Sequence, residues 1–457
     1  MQITDTIAAI STGMNNAGIG IIRISGVRSF EIASRIFRTV SGKQIKEFES
    51  HKVYYGYITD KEIIDEVLLI ALRSPRSYTA EDTIEIDCHG GNTVMRRILR
   101  TVIDNGARPA EPGEFTKRAF LNGRIDLSEA EAVIDIINSK NTYSLDNSMK
   151  QLTGKLHDKI TDIRNRIKYE IAHIEAALDD PEHYDLNGYY DELSVKTDRI
   201  IDEITHMRKS FKEGKILSEG INTVILGKPN VGKSSLLNIL TGEESAIVTE
   251  IAGTTRDVLE QDIIINGLTL KLMDTAGIRE TEDTVEKIGV QRAYKYADEA
   301  DLIIMLIDSS VPVDENDIAL FDYIKDKNSV ILLNKSDLPV MIAKDDVKKH
   351  TDKPVMSISA KEEEGIEEFK TFIEKMFTDG MIDYNDEVII TNERHLILID
   401  EAINSLNEVM TGIASGMPED LISIDLTNAY YSLGAITGEK VGEDIINEIF
   451  SKFCMGK

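Results

Sequence analysis

The chain has 457 residues, 42% of them hydrophobic and 29% charged, a composition for ordinary globular cores and a length that predicts about three domains. No apolar run exceeds six residues (Leu302 to Ile307), far below the ~20 of a membrane span, two cysteines are too few for a disulfide framework, and no basic segment precedes the apolar N-terminus. The net charge of −28 excludes indiscriminate coating of nucleic acid, yet residues 1–122 carry 16 basic and 15 acidic side chains, so a local basic face stays possible and a cytoplasmic, non-membrane protein is predicted.

Residues 1–122 read as mixed α/β. Gly18 to Gly26 is a predicted strand bounded by glycines. It is no dinucleotide fingerprint, because Arg23 stands where a third glycine belongs and the strand follows the glycines. Val67–Leu72 and Thr83–Asp87 are further β-rich runs, and Asn92–Asp104 has helical spacing. From 123 to 219 the pattern becomes long amphipathic helices, opened by a predicted capping box with Ser128 at the N-cap and Glu131 three residues on.

Between 220 and 378, strands at Thr223–Gly227, Leu268–Asp274, Leu302–Asp308, Val330–Asn334 and Val355–Ser359 alternate with helices. That alternation implies a doubly wound, mostly parallel sheet. Residues 379–457 return to helix, ending in Val441–Phe453. They are thin as a domain of their own and are expected to complete the core of the earlier helices. The α/β unit would then be an insertion in a helical domain.

The segment Gly227-Lys-Pro-Asn-Val-Gly-Lys-Ser234 matches G-x-x-x-x-G-K-[ST] at every position, after a strand and before a helix. Loop N–H groups and the helix N-terminus wrap phosphates, Lys233 reaches the outer phosphates, and the Ser234 hydroxyl suits magnesium. Asp274-Thr-Ala-Gly277 ends the next strand, with a carboxylate for the magnesium side and Gly277 for the terminal phosphate. Asn334-Lys-Ser-Asp337 ends another, where a carboxylate accepts two hydrogen bonds from guanine that adenine cannot supply. Ser359-Ala-Lys361 ends the last, and Thr255 of Gly253-Thr-Thr-Arg-Asp257 is placed to close on magnesium. Five matches in order predict a GTPase. Ile278 stands where Ras-like GTPases carry a water-orienting glutamine, so another polar group must act; Arg279, Glu280, Glu282, Asp283 and Glu286 follow it.

With these motifs, Asp87-Cys-His-Gly-Gly91, Arg108-Pro-Ala-Glu-Pro-Gly-Glu-Phe115, Arg118-Ala-Phe-Leu-Asn122 and the ending Phe453-Cys-Met-Gly-Lys457 resemble the MnmE (TrmE) family of bacterial tRNA-modification GTPases along the whole chain. The resemblance implies an N-terminal α+β folate-binding and dimerisation domain (1–122), a helical-bundle domain in two parts (123–219 and 379–457) and an inserted Ras-like P-loop GTPase domain (220–378). It implies a homodimer that works with the flavoprotein MnmG on carbon 5 of the wobble uridine of certain tRNAs, using a 5-formyl- or 5,10-methylene-tetrahydrofolate. It implies potassium-stimulated hydrolysis, with K+ held by Asn230, Thr249, Ile251 and Thr254, Mg2+ by Ser234 and Thr255, and Glu286 positioning water. GTP contacts carry over to Asn230, Val231, Gly232, Lys233, Ser234, Ser235, Thr249, Glu250, Ile251, Ala252, Gly253, Thr254, Thr255, Asp274, Thr275, Ala276, Gly277, Asn334, Lys335, Asp337, Ser359, Ala360 and Lys361. Folate contacts carry over to Arg23, Glu85, Arg124 and Lys457, and Cys454 lies beside them in sequence order as a candidate for the modification chemistry. For tRNA, the stretch Lys140–Lys168, with Arg164, Arg166 and Lys168 near one another on a helix, is the best local basic candidate.

Overall fold

The structure is a computed structural model that describes residues 5–180, 183, 188–242, 261–273, 295–378 and 389–457. The chain divides into two compact units: residues 1–138, 148–202 and 397–457 form one, and 139–147 with 203–396 form the other.

The first unit begins with β1 (Ile7–Ile10), β2 (Ile19–Ser25), α1 (Ser29–Ile36), β3 (Phe37–Thr39), β4 (Lys52–Asp60), β5 (Glu62–Leu72), β6 (Thr83–His89), α2 (Asn92–Asp104), β7 (Arg108–Pro109) and α3 (Glu114–Leu121). The strands form one sheet in the order β3-β4-β5-β6-β2-β1-β7, antiparallel except where β7 runs parallel to β1. Alternation governs which face each residue takes. Ile22 and Ile24 of β2 and Ile84 and Ile86 of β6 are fully buried, whereas Arg23 and Glu85 point the other way and stand opposite each other in register.

Long helices follow: α4 (Leu127–Asn138), α5 (Thr142–Leu152), α6 (Lys155–Asp179) and α7 (Tyr189–Glu219). The start of α4 differs from the predicted capping box. Asp126, not Ser128, is the cap: its Oδ1 accepts from the Glu129 N–H at 2.7 Å, and Glu129 Oε2 accepts from the Asp126 N–H at 2.8 Å. The same S/T/D-x-x-E pattern recurs two residues earlier than read, and Ser128 is buried, donating to Asp126.

In the second unit, β8 (Ile221–Leu226), α8 (Lys233–Gly242), β9 (Gln261–Ile265), β10 (Leu268–Leu272), β11 (Leu302–Asp308), α9 (Glu315–Tyr323), β12 (Ser329–Asn334), β13 (Val355–Ser357) and α10 (Ile366–Thr378) appear in chain order. The sheet order is β13-β12-β11-β8-β10-β9, parallel except for the β9–β10 hairpin. Residues Leu302 to Ile307 are all buried, as a central parallel strand covered on both faces requires.

The remaining helices are α11 (Glu393–Ser415), α12 (Glu419–Ile436) and α13 (Glu443–Ser451). Within the first unit, Ile446 and Phe450 of α13, with Phe453 beyond it, share one buried cluster with Ala119, Ile125, Leu127, Ala130 and Val133. The tail therefore supplies core to the first unit's helices.

Candidate functional site

The nucleotide loops of the second unit converge at the carboxyl ends of the parallel strands, the place this fold reserves for ligands. Between β8 and α8, Asn230 takes the left-handed conformation (φ 62°), which asparagine tolerates better than most residues. Gly232 is forced: its φ is +101°, and a Cβ there would sit 2.2 Å from Asn334 Nδ2. Lys233 Nζ donates to the carbonyls of Gly227 and Lys228 at 2.5 and 3.1 Å, inside its own loop.

Asn334, at the end of β12, ties three motifs together. Its Nδ2 donates to the Val231 carbonyl at 2.8 Å, and its Oδ1 accepts from the Ala360 N–H at 2.9 Å. The Ala360 N–H is thus turned to Asn334. Asp337 is exposed, and its Oδ1 accepts from Ser359 Oγ at 2.7 Å. That hydrogen bond, aided by the charges of Lys361 and Lys335, holds the Asp337 carboxyl below the ordinary range, so it is an anionic acceptor at neutral pH. Lys335 is left-handed (φ 64°), and its Nζ pairs with Asp308 at 2.6 Å. Burial pushes the Asp308 carboxyl up, but hydrogen bonds from Lys335 and Ser310 outweigh it and lower it. Thr249, Glu250, Ile251, Ala252, Gly253, Thr254, Thr255, Asp274, Thr275, Ala276, Gly277 and Glu286 lie outside the described residues.

A second cluster lies in the first unit. Arg23 Nε donates to Glu85 Oε1 at 2.7 Å between neighbouring strands. The Arg23 guanidinium lies 5.0 Å from the Tyr78 ring centre and 5.5 Å from that of Phe115, and Arg124 lies 4.7 Å from Tyr78. Arg23 Nη1 is buried with no partner among the described residues, as is Oδ1 of Asp87 two residues past Glu85 on the same strand. Burial, with the neighbouring Glu85 charge, pushes the Asp87 carboxyl up.

The C-terminus returns to this place. The Phe115 N–H donates to the Lys457 carbonyl at 3.2 Å, Gly113 N–H to that of Cys454 at 3.4 Å, and Ser11 Oγ to that of Gly456 at 3.1 Å. Gly456 has φ +85°, and a Cβ on it would meet the Ile10 carbonyl at 2.3 Å. Arg23, Glu85, Arg124 and Lys457 are therefore connected through Tyr78 and Phe115, while Cys454 is exposed at the docked tail.

Two family models cover nearly the whole chain: the N-terminus of the GTP-binding protein TrmE matches residues 6–124, and the MnmE helical domain matches residues 127–454. The tRNA modification GTPase MnmE of Lachnoclostridium phytofermentans is 55% identical over 456 residues, spanning 99% of this chain and all of that protein. That of Clostridioides difficile is 46% identical over 459 residues, with both chains covered in full. The chain belongs to the MnmE family. Among solved structures, the G domain of the T. maritima FeoB iron transporter is similar at 27% identity and a TM-score of 0.27, covering 34% of this chain and 97% of that one.

As a member of the MnmE family the chain is a GTP-hydrolysing enzyme of tRNA modification. The basic stretch Lys140–Lys168 is not one surface. Arg164 is buried, its guanidinium gripped by both Glu439 oxygens at 2.6 and 2.5 Å and laid 4.2 Å from the Tyr430 ring centre. Arg166 pairs with Asp162 one turn back. Helical spacing marks neighbours but not which face meets another helix, and α6 packs its Arg164 face on α12. Sequence reading also missed Tyr78 and Phe115, because nothing in their spacing connects them to Arg23. Nor do motifs mark Asp308, which meets Lys335 only through the β11–β12 pairing.

Proposed function

We propose that this enzyme couples GTP hydrolysis to a folate-dependent, carboxymethylaminomethyl-type modification at carbon 5 of the wobble uridine of certain tRNAs, as a cytoplasmic homodimer acting with a flavoprotein of the MnmG kind. The carrying observation is the cluster around Arg23: a buried guanidinium nitrogen without a partner among the described residues, a carboxylate beside it, two aromatic walls and a C-terminal tail anchored at the same place. An unpaired buried N–H is costly, and a bound anion or carbonyl would relieve it.

These residues fit a tetrahydrofolate. Arg23, Arg124 and Lys457 offer cations to its carboxylates, and Glu85 keeps one oxygen that can accept from the pterin amino group. When bound, the folate supplies a one-carbon unit. Cys454 lies close in chain order to Lys457, and its thiol is assigned to the modification chemistry. No helix among the described residues is long and apolar enough to cross a membrane.

On the GTPase side, Asp337 reads guanine, Lys233 receives phosphate charge, and Ser234 with Thr255 would hold Mg2+. Asn230, Thr249, Ile251 and Thr254 would hold K+, in place of the charge an arginine finger supplies elsewhere. Glu286 orients water, since Ile278 has no polar atom to do so. The test is a pair of measurements on the full chain. Calorimetric titration with 5-formyl-tetrahydrofolate should show binding that Arg23→Ala abolishes, while GTP turnover stays intact and is much faster in potassium than in sodium. Wild-type folate affinity in Arg23→Ala refutes the folate site, and equal rates in the two salts refute the potassium site. Cys454→Ser should keep GTP turnover and lower tRNA modification in the reaction reconstituted with the flavoprotein.

A further inference from the structure

The connection from β11 into α9 carries Asp308, Asp314 and Asp317, none of which belongs to a GTPase motif. Each faces a lysine of a nucleotide loop. Asp308 holds Lys335, as described above. Asp314 and Asp317 hold Lys228 Nζ, the second residue of the P-loop, at 2.8 and 2.6 Å. The two carboxylates are fixed before Lys228 reaches them. Asp314 caps α9 by accepting from the N–H groups of Asn316 and Asp317, and its own N–H donates to Asp317 Oδ2 at 3.1 Å.

Asp317 is 2% exposed, so its charge needs a partner. The partner is a residue whose backbone does separate work. The Lys228 carbonyl accepts from Lys233 Nζ, the ammonium that serves the phosphates. The connection thus runs from a rigid helix cap, through one ion pair, into the backbone of the phosphate loop.

We infer that Lys228 is a positioning residue: anchored by Asp314 and Asp317, it holds the first turn of the P-loop in its phosphate-binding shape and sets nucleotide affinity without touching the nucleotide. A loop that must aim several N–H groups at one polyanion gains affinity when it is ordered beforehand, because less freedom is lost on binding. Without the anchor the loop keeps its sequence but must be ordered by the ligand.

The test uses the full-length, nucleotide-free protein, fluorescent N-methylanthraniloyl GDP, and GTP hydrolysis in potassium buffer. K228M should weaken GDP binding and raise KM by about tenfold, with a smaller change in kcat, and K228R should restore most of the affinity. K228M also strands Asp317, so K228M/D317N separates positioning from a buried charge. If the inference holds, the double variant binds as weakly as K228M. If it regains wild-type affinity, the single variant suffered only from the stranded carboxylate and the inference is overturned. Wild-type affinity in a folded K228M overturns it as well. Should K228M fail to fold, K228M/D317N, which lacks both charges, decides alone: weak binding supports the anchor and wild-type binding rejects it.

Discussion

Removal of the Asn334 side chain tests whether the P-loop and the base-recognition loops act as one structure. Asn334 is 2% exposed and makes one hydrogen bond to the Val231 carbonyl and one from the Ala360 N–H. Asn334→Ala deletes both and leaves an acceptor and a donor unpaired in a buried position. Each stranded group costs about 1–3 kcal/mol, and water entering the vacated space brings the pair toward the lower half of that range, about 2–4 kcal/mol in all. The backbone of Gly232 cannot fill the gap, since it has no side chain. If the cost falls on the assembled, nucleotide-ready loops, it weakens binding by a factor of about 30 to 1,000. Asn334→Asp should do no better, because a carboxylate oxygen replaces the amide N–H that faces the Val231 carbonyl. Fluorescent GDP titration gives the affinity, and thermal unfolding shows whether the fold survives. GDP affinity within threefold of wild type in a folded Asn334→Ala protein would show that the three loops are positioned independently.

Asp337→Asn should lose GTP affinity and gain xanthosine triphosphate binding, and unchanged GTP affinity in a titration would remove Asp337 from guanine recognition. In the native protein that carboxyl is held low by Ser359, so its anionic form persists until the pH falls below the ordinary carboxylate range, and the preference for GTP over xanthosine triphosphate at equal pH should persist from pH 8 to 5. Gly456→Ala should undock the C-terminal tail, because its Cβ collides with the Ile10 carbonyl and its φ is left-handed; carboxypeptidase should release Lys457 faster while GTP turnover is kept, and an unchanged release rate would contradict the docking. Asp135 is pushed up to about 6 by burial, reinforced by Glu131, so the native state holds its proton more tightly than the unfolded chain. Stability from this group therefore falls as pH rises from about 4 to 6 and stays reduced above. Asp135→Asn should raise the melting temperature at pH 7.5, by on the order of 2 kcal/mol in stability, and lose that advantage at pH 4.

The amino-acid sequence by itself determined the elements whose cause is local. Leu302–Asp308 appears with the predicted bounds, and Val330–Asn334 falls within β12, because a strand buried on both faces is written as a continuous apolar run. The P-loop was legible for the same reason: its glycines, lysine and serine answer to backbone geometry within eight residues. Arg23 opposite Glu85 follows from alternation once β2 and β6 are paired, but that pairing joins positions 62 residues apart. The cap of α4 was legible in type and misplaced by two residues, since Asp126-x-x-Glu129 and Ser128-x-x-Glu131 carry the same local signal and only the packing of Ser128 into the core separates them. Tertiary structure alone decided the rest. It buried Arg164 against Glu439 and Tyr430, set Tyr78 and Phe115 beside Arg23, and brought the Gly456 carbonyl to Ser11, 445 positions away. Such contacts have no period or spacing in the chain. They exist because burying the apolar faces of separate elements fixes where polar side chains end, and there each must find a partner or a ligand.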